Sequence, residues 1–188
     1  MLVMKFCPLC GSHVSLKIPL DDNRERYVCD SCHAIHYENP RNVVGTIPIW
    51  KDQILLCKRA IEPRKGYWTL PAGFLETGES LINGALRETL EESGAQVEIG
   101  PLFSLVNVLH VDQIHVFYLA HMTSPSFQAG VESLEVALFD ESNIPWDDLA
   151  FMTVIKTLKW YFADRKAGLL TANQAVVPHQ DNIIAARK

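Results

Sequence analysis

Four of the five cysteines fall as two CxxC pairs, CPLC (Cys7, Cys10) and CDSC (Cys29, Cys32), with the eighteen residues 11–28 between them. Two short knuckles of this spacing are the sequence form of a four-thiolate zinc site. A closed set of four thiolates leaves no open position for water, so it supplies folding energy rather than chemistry and dictates how the first ~35 residues fold. Two disulfides are the competing reading, and a reducing cytoplasm disfavours them. His13, His33 and His36 lie nearby and read as neutral solvated side chains, since four thiols already complete a site. Cys57, in the apolar run ILLC, reads as a core thiol.

With 188 residues, 48% hydrophobic and 21% charged, the chain has the composition of a globular protein and room for one ordinary domain plus a small module. The net charge of −5 and pI near 5.8 argue against a polyanionic partner, so no nucleic acid is expected. No apolar run reaches the ~18 residues of a membrane span, and MLVMKFCPLC lacks the long apolar stretch of a secretory signal. A cytoplasmic protein without membrane contact is expected. The turn formers of HYENPRNVVG mark the end of the cysteine module, giving a ribbon over residues 1–39, a second domain over 40–168 and a C-terminal extension over 169–188 that reads as a strand or a loose tail. In the second domain NVVGTIPIW, QILLCKRA, GYWTLPAGF, FSLVNVLHV and IHVFYLAHM are strand-like, and FMTVIKTLKWYFADRKAG has helical spacing.

Between the third and fourth strands lies GFLETGESLINGALRETLEESGA, Gly73 to Ala95. Ser80 as N-cap and Gly94 as stop predict a helix over Leu81–Ser93. At about 100° per residue, Ile82, Leu86, Thr89 and Leu90 fall on one arc, the expected core face, while Glu88, Glu91 and Glu92 fall on nearly the opposite one. Carboxylates near a helix C-terminus oppose its dipole and repel one another, so a compensating cation is required. Arg87 offsets one charge; a hard divalent cation compensates all three. Ahead of the helix, Pro71, Gly73 and Gly78 make a tightly bent loop that exposes backbone groups next to the acids.

Gly73, Glu79, Arg87, Glu88, Glu91, Glu92, Gly94 and Ala95 stand at the anchor spacings of a Nudix box, with all 23 positions matched; only Thr89 and Ala95 are smaller than the usual aliphatics. The chain thus resembles a Nudix hydrolase. That resemblance implies an α/β fold, an α/β/α sandwich around a mixed β-sheet, preceded here by the small zinc ribbon. It implies Mg²⁺ or Mn²⁺ held by Glu88, Glu91 and Glu92 with a loop carbonyl of Ala72 or Gly73, Arg87 orienting one of the acids, and a nucleoside diphosphate derivative as substrate. Glu76 and Glu79 are weaker candidates for that site. The general base comes in such enzymes from the helix or from a later loop, where Glu132 and Glu135 are candidates.

A zinc ribbon joined to a Nudix domain is similar to two groups, NADH pyrophosphatases and a bacterial and plant group active on FAD and ADP-ribose. A serine–glutamine–proline–tryptophan motif beyond the box marks the first and is missing here. KFCPLCG, HYENP, LCKRAIEP, WTLPAGFLETGES and ESLEVALF resemble the second, so FAD or ADP-ribose is the expected substrate. A homodimer is implied by the same resemblance. Nucleoside triphosphate cleansing and a ligand-sensing nucleic-acid regulator are the competing functions. Adenine and flavin need flat apolar surfaces, for which Tyr67, Trp68, Phe74, Phe117 and Tyr118 are candidates, with Trp68 and Phe74 preferred. Arg59, with Lys58 beside it, is placed to hold an outer phosphate.

Overall fold

The computed structural model describes residues 4–170 and 177–185. The chain divides into two compact units, Met1–Pro40 and Arg41–Lys188.

The first unit is a three-stranded antiparallel sheet of β1 (Val14–Lys17), β2 (Arg26–Cys29) and β3 (Ile35–His36) in that order. Leu9, Leu16, Ile18 and Leu20 are exposed, and among the described residues of this unit only Cys7 and Cys29 count as buried hydrophobics. A module so poor in core needs another source of folding energy. The thiols are placed to supply one on binding a metal, their four Sγ atoms lying within 4.8 Å of one another.

The second unit is built on a mixed sheet. Its strands are β4 (Arg41–Trp50), β5 (Gln53–Arg59), β6 (Trp68–Thr69), β7 (Ala72–Phe74), β8 (Val97–Val108), β9 (Gln113–Met122), β10 (Ser133–Phe139) and β11 (His179–Ile183). The main order is β10-β5-β4-β9-β8-β11, with β6 on β5 and β7 on β4; β4–β9 and β8–β11 are parallel and the other pairs antiparallel. Helix α1 (Leu81–Ser93) covers one face, packing Ala85 with Val44, Val116 and Tyr118. Helix α2 (Met152–Lys166) covers the other, packing Val154, Leu158 and Phe162 with Ile47, Phe117 and Leu119. The alternation of Val116 and Tyr118 with Phe117 and Leu119 is the period of two that divides a strand between two layers. Two buried hydroxyl pairs tie the layers together: Thr46–Thr89 at 2.7 Å beneath α1, and Ser104–Thr157 at 2.8 Å beneath α2.

One segment differs from the sequence reading, and in a second the described residues take one of its two alternatives. SLEVALF, expected in a loop that carries a candidate base, is strand β10, with Glu135 opposite Lys58 in register; its alternating large side chains fit a pleated edge. Within the C-terminal extension, residues 179–183 form β11, held to α2 by a Lys156–Asp181 ion pair, by His179 against Asp164 at 2.8 Å, and by the His179 ring stacked 5.0 Å over Trp160. Residues 171–176 and 186–188 of that extension lie outside the described residues.

Candidate active site and zinc centre

Backbone amides prepare two of the four thiols of the first unit for a cation, whereas, against a backbone hydrogen bond at Ala34, the neighbouring Cys29 and Cys10 thiols push Cys32 up to about 12. The amides of Ser31 and Cys32 donate to Cys29 Sγ at 3.4 and 3.3 Å, and both lower its pKa. A hydrogen bond from the Ser12 backbone brings Cys10 down to about 6. Amide donors favour the thiolate, which is the form that binds metal. These four residues would hold zinc.

In the second unit α1 begins where Ser80 Oγ accepts from the Asn83 amide at 3.1 Å and ends at Gly94, whose φ of 62° lies in the left-handed region. The face it buries is not the one expected from hydrophobicity. Ile82 and Leu90 are exposed, while Gly84, Ala85, Thr89, Glu92 and Ser93 turn toward the sheet. Small residues let the helix sit close on β4: a Cβ on Gly84 would lie 2.8 Å from Val44 Cγ2. Thr89 donates to the Ala85 carbonyl and so accepts from Thr46, which gives the hydroxyl in this hydrophobic slot of the box its own partner.

The same rotation separates the acids. Glu92 is only 6% exposed, its Oε2 accepting the Ala72 amide at 3.1 Å; burial pushes its pKa up to about 8 against that hydrogen bond. Glu88 is raised too, by burial, against the pull of Arg87. Glu91 is more exposed. Arg87 gathers the cluster: Nη1 bonds Glu88 at 2.7 Å and Glu91 at 3.2 Å, while Nη2 and Nε bond Glu79 at 2.6 and 3.1 Å. Glu79 also accepts the Glu76 amide at 2.7 Å, and Arg87 holds its carboxyl below the usual range. Opposite, Gly73 approaches the acids closely: a Cβ there would lie 2.3 Å from the Glu88 carboxylate, which would have to move aside. Among the described residues the cysteine quartet is the only set of three or more metal-ligating atoms within 4.8 Å of one another. The carboxylates share a wall, with Arg87 bonded to Glu88 and Glu91 and the Ala72 amide bonded to Glu92.

That wall belongs to a cavity of about 970 Å³ at the end of the sheet where β4 and β9 start and β5, β8 and β11 finish. Glu76, Arg87, Glu88, Glu91 and Glu92 line it, together with Ala72, Gly73 and Phe74 of the β7 loop. Phe74 is 47% exposed and carries the Arg41 guanidinium 4.9 Å over its ring. Arg59 reaches the cavity, its Nε donating to the Pro63 carbonyl at 2.8 Å and its guanidinium 5.1 Å over Phe151. Glu132 lines it as well; Glu135 does not, and faces Lys58 at 3.6 Å on the outer strand.

Trp68, expected to meet the substrate, is instead 8% exposed in the main core, edge-on to Phe139 at 4.9 Å. Phe117 and Tyr118 are buried as well, one on each face of β9, because a helix covers each face. Sequence reasoning missed three walls: Gln113 with His115, the loop through Pro63 and Arg64, and Phe151–Thr153 at the start of α2. His115 is neutral, drawn down to about 4 by burial, with Nε2 3.0 Å from Gln113 Oε1. The one signal for the third wall is that FMTVIK begins a helix without a polar cap.

Residues 5–38 match a zinc-ribbon family model described as Nudix N-terminal, and residues 39–164 match the NUDIX domain model. A crystal structure of a NUDIX hydrolase from Nitrosomonas europaea superposes with a TM-score of 0.89 at 47% identity, over 96% of this chain and 99% of that one. An ADP-ribose pyrophosphatase of Methanocaldococcus jannaschii is 30% identical over 58% of this chain and 67% of its own length. A NAD-capped RNA hydrolase of Schizosaccharomyces pombe is 29% identical over 88% of this chain, which spans 45% of that protein. Its counterpart in Vibrio vulnificus is 33% identical over 50% of this chain, which spans 34% of that protein.

Proposed function

Because the chain belongs to the Nudix family, we propose that it hydrolyses the diphosphate linkage of a nucleoside diphosphate derivative, FAD or ADP-ribose, to AMP and flavin mononucleotide or ribose 5-phosphate. The observation that carries this reading is the cavity: about 970 Å³, near the upper end for small-molecule sites, with desolvated carboxylates on one wall and arginines and exposed aromatics around it. Room for a dinucleotide, next to acids that need a cation, suits an internal diphosphate.

Mg²⁺ or Mn²⁺ would be held by Glu88, Glu91 and Glu92 with a loop carbonyl of Ala72. When bound, it supplies neutralisation of the phosphate oxygens and a lowered pKa for water. The donors suit such an ion: carboxylates whose burial favours protonation regain their charge beside a cation. Arg87 positions Glu88 and Glu91, and Glu79 anchors Arg87 from behind. Arg59 is placed to meet a phosphate oxygen. Phe74, open at the rim, offers a stacking face. Glu132 takes the place of Glu135 as the candidate to accept a proton from water, since it is the one that lines the cavity.

A second reading, cleavage of an NAD-type dinucleotide, is favoured by the NAD-capped RNA hydrolases among the relatives. The two separate in one assay. FAD, ADP-ribose, NADH and a panel of nucleoside triphosphates are supplied at equal concentration with Mg²⁺ or Mn²⁺, and kcat/KM is compared with product identity. The expected leaders are FAD or ADP-ribose, with AMP as a product; a clear lead for NADH selects the second reading, and a lead for any triphosphate refutes both.

A further inference from the structure

The acid end of α1 and the amino end of α2 open onto the same cavity, and the second of these lacks the capping group a helix of this kind normally has. Phe151 at the N-cap makes no side-chain hydrogen bond, and the first turn contains no acid. The first amide of the helix with a backbone acceptor is that of Ile155, bonded to Phe151 O at 3.1 Å, so the amides of Met152, Thr153 and Val154 are left without acceptors among the described residues. A helix start with open donors attracts anions, but many such ends are merely solvated.

Thr153 supplies the independent observation. It is 2% exposed, it lines the cavity, and its Oγ1 has no hydrogen-bond partner among the described residues. A buried hydroxyl without a partner is destabilising, a penalty that a ligand oxygen would remove. Arg59, stacked over Phe151, adds a cation beside the same turn. We infer that the start of α2, through the Thr153 hydroxyl and the open amides of its first turn, is an anion subsite that takes a phosphoryl oxygen of the nucleotide. The inference rests on the function proposed above for the choice of phosphoryl group. It adds a second charge-recognising element, separate from the box, on the opposite helix layer.

The first test needs no turnover. Inorganic phosphate is titrated into the full-length, ¹⁵N-labelled, zinc-loaded protein free of Mg²⁺ and Mn²⁺. The amides of Met152, Thr153 and Val154 are expected to shift, and Thr153→Val to weaken phosphate at these amides about ten-fold, the scale of one hydrogen bond to a charged group. Thr153→Ser, which keeps the hydroxyl, should bind as the wild type does. Silence of those three amides overturns the subsite whatever the protein hydrolyses. The second test uses the substrate that turns over: Thr153→Val should raise KM about ten-fold and change kcat by less than about three-fold, with rescue by Thr153→Ser. AMP and ribose 5-phosphate are then compared as inhibitors of the wild type and of Thr153→Val. Loss of inhibition by either one supports the subsite and tells which half of the substrate it serves; unchanged inhibition by both, or an unchanged KM, overturns it. Thr153→Val removes an unpaired hydroxyl at nearly constant shape, so its thermal midpoint should equal or exceed that of the wild type; if it fails to fold, the wild-type titration alone decides.

Discussion

Glu92→Gln should stabilise the protein in alkaline solution while removing activity. In the fold Glu92 has a pKa raised from 4.5 to about 8, chiefly by burial. A carboxyl raised in this way is accommodated as its neutral form below pH 4.5, and the fold loses stability as pH climbs from about 4.5 through about 8, beyond which the whole penalty stands. At ~1.4 kcal/mol per pH unit the difference approaches 5 kcal/mol. The substituted glutamine is neutral throughout and keeps a carbonyl oxygen for the Ala72 amide. The variant should therefore match the wild type near pH 5 and exceed it by about 3–5 kcal/mol at pH 9. At roughly 2–4 °C per kcal/mol for a chain of this size, that is a rise of about 10 °C in Tm. Glu88 is present in both proteins, so its own titration largely cancels. Thermal unfolding of zinc-loaded protein, freed of Mg²⁺ and Mn²⁺, is followed by circular dichroism at pH 5, 7 and 9. Restoring Mg²⁺ should narrow the gap by stabilising the wild type. Equal midpoints at pH 9, or a variant less stable at every pH, would show that burial of this charge is not the dominant cost.

Metal analysis of the purified protein should find one zinc per chain, and Cys29→Ser should lose the zinc together with the strand signals of β1–β3. Glu88→Gln should lower kcat by two orders of magnitude or more in the product assay, with its KM and far-ultraviolet spectrum little changed; a near-normal rate would return the acids to a solvated surface role. Thr89→Val should cost about 1–3 kcal/mol in chemical denaturation because Thr46 is left unpaired in the core, and Thr46→Val added to it should recover most of that loss. A double mutant as unstable as the sum of the singles would refute the hydroxyl pairing.

Anchors with a local cause were legible in the sequence. Each CxxC knuckle and the two caps that frame α1 are set within a few residues, and the doubled spacing then brings the knuckles together; both are found where the spacing puts them. The mixed sheet with helices on both faces follows from alternating strand and helix periods joined to the box resemblance. The rotation of α1 about its own axis was only partly legible: Thr89 is buried as its place on the core arc implied, but the rest of the contact comes from Gly84 and Ala85, which carry almost no hydrophobic signal, while the conspicuous Ile82 and Leu90 stay outside. That rotation is why three acids expected on one face occupy three environments. Trp68 was misplaced because a strand's period of two fixes that its neighbours alternate, not which parity points inward. The start of α2 was invisible as a wall because it reaches the site only through the packing of that helix on the sheet, contacts made between segments far apart in sequence.

The parallel pairing of β11 with β8 has a consequence for the order in which the molecule is made. His179 to Ile183 meet partners at Ser104 to Val108, about seventy-five residues earlier, whereas β8 and β9 are joined by one short turn. Contacts closed over so long a loop come late in folding. During synthesis β8 and β9 can pair as soon as both have emerged, but the outer edge of β8 stays unpaired until β11 has been made. Ile183, the last rung of β11, is also part of the cavity wall. A nascent chain can therefore pair β8 with β9 before the wall to which Ile183 belongs exists, so the pocket is finished only once β11 has been made.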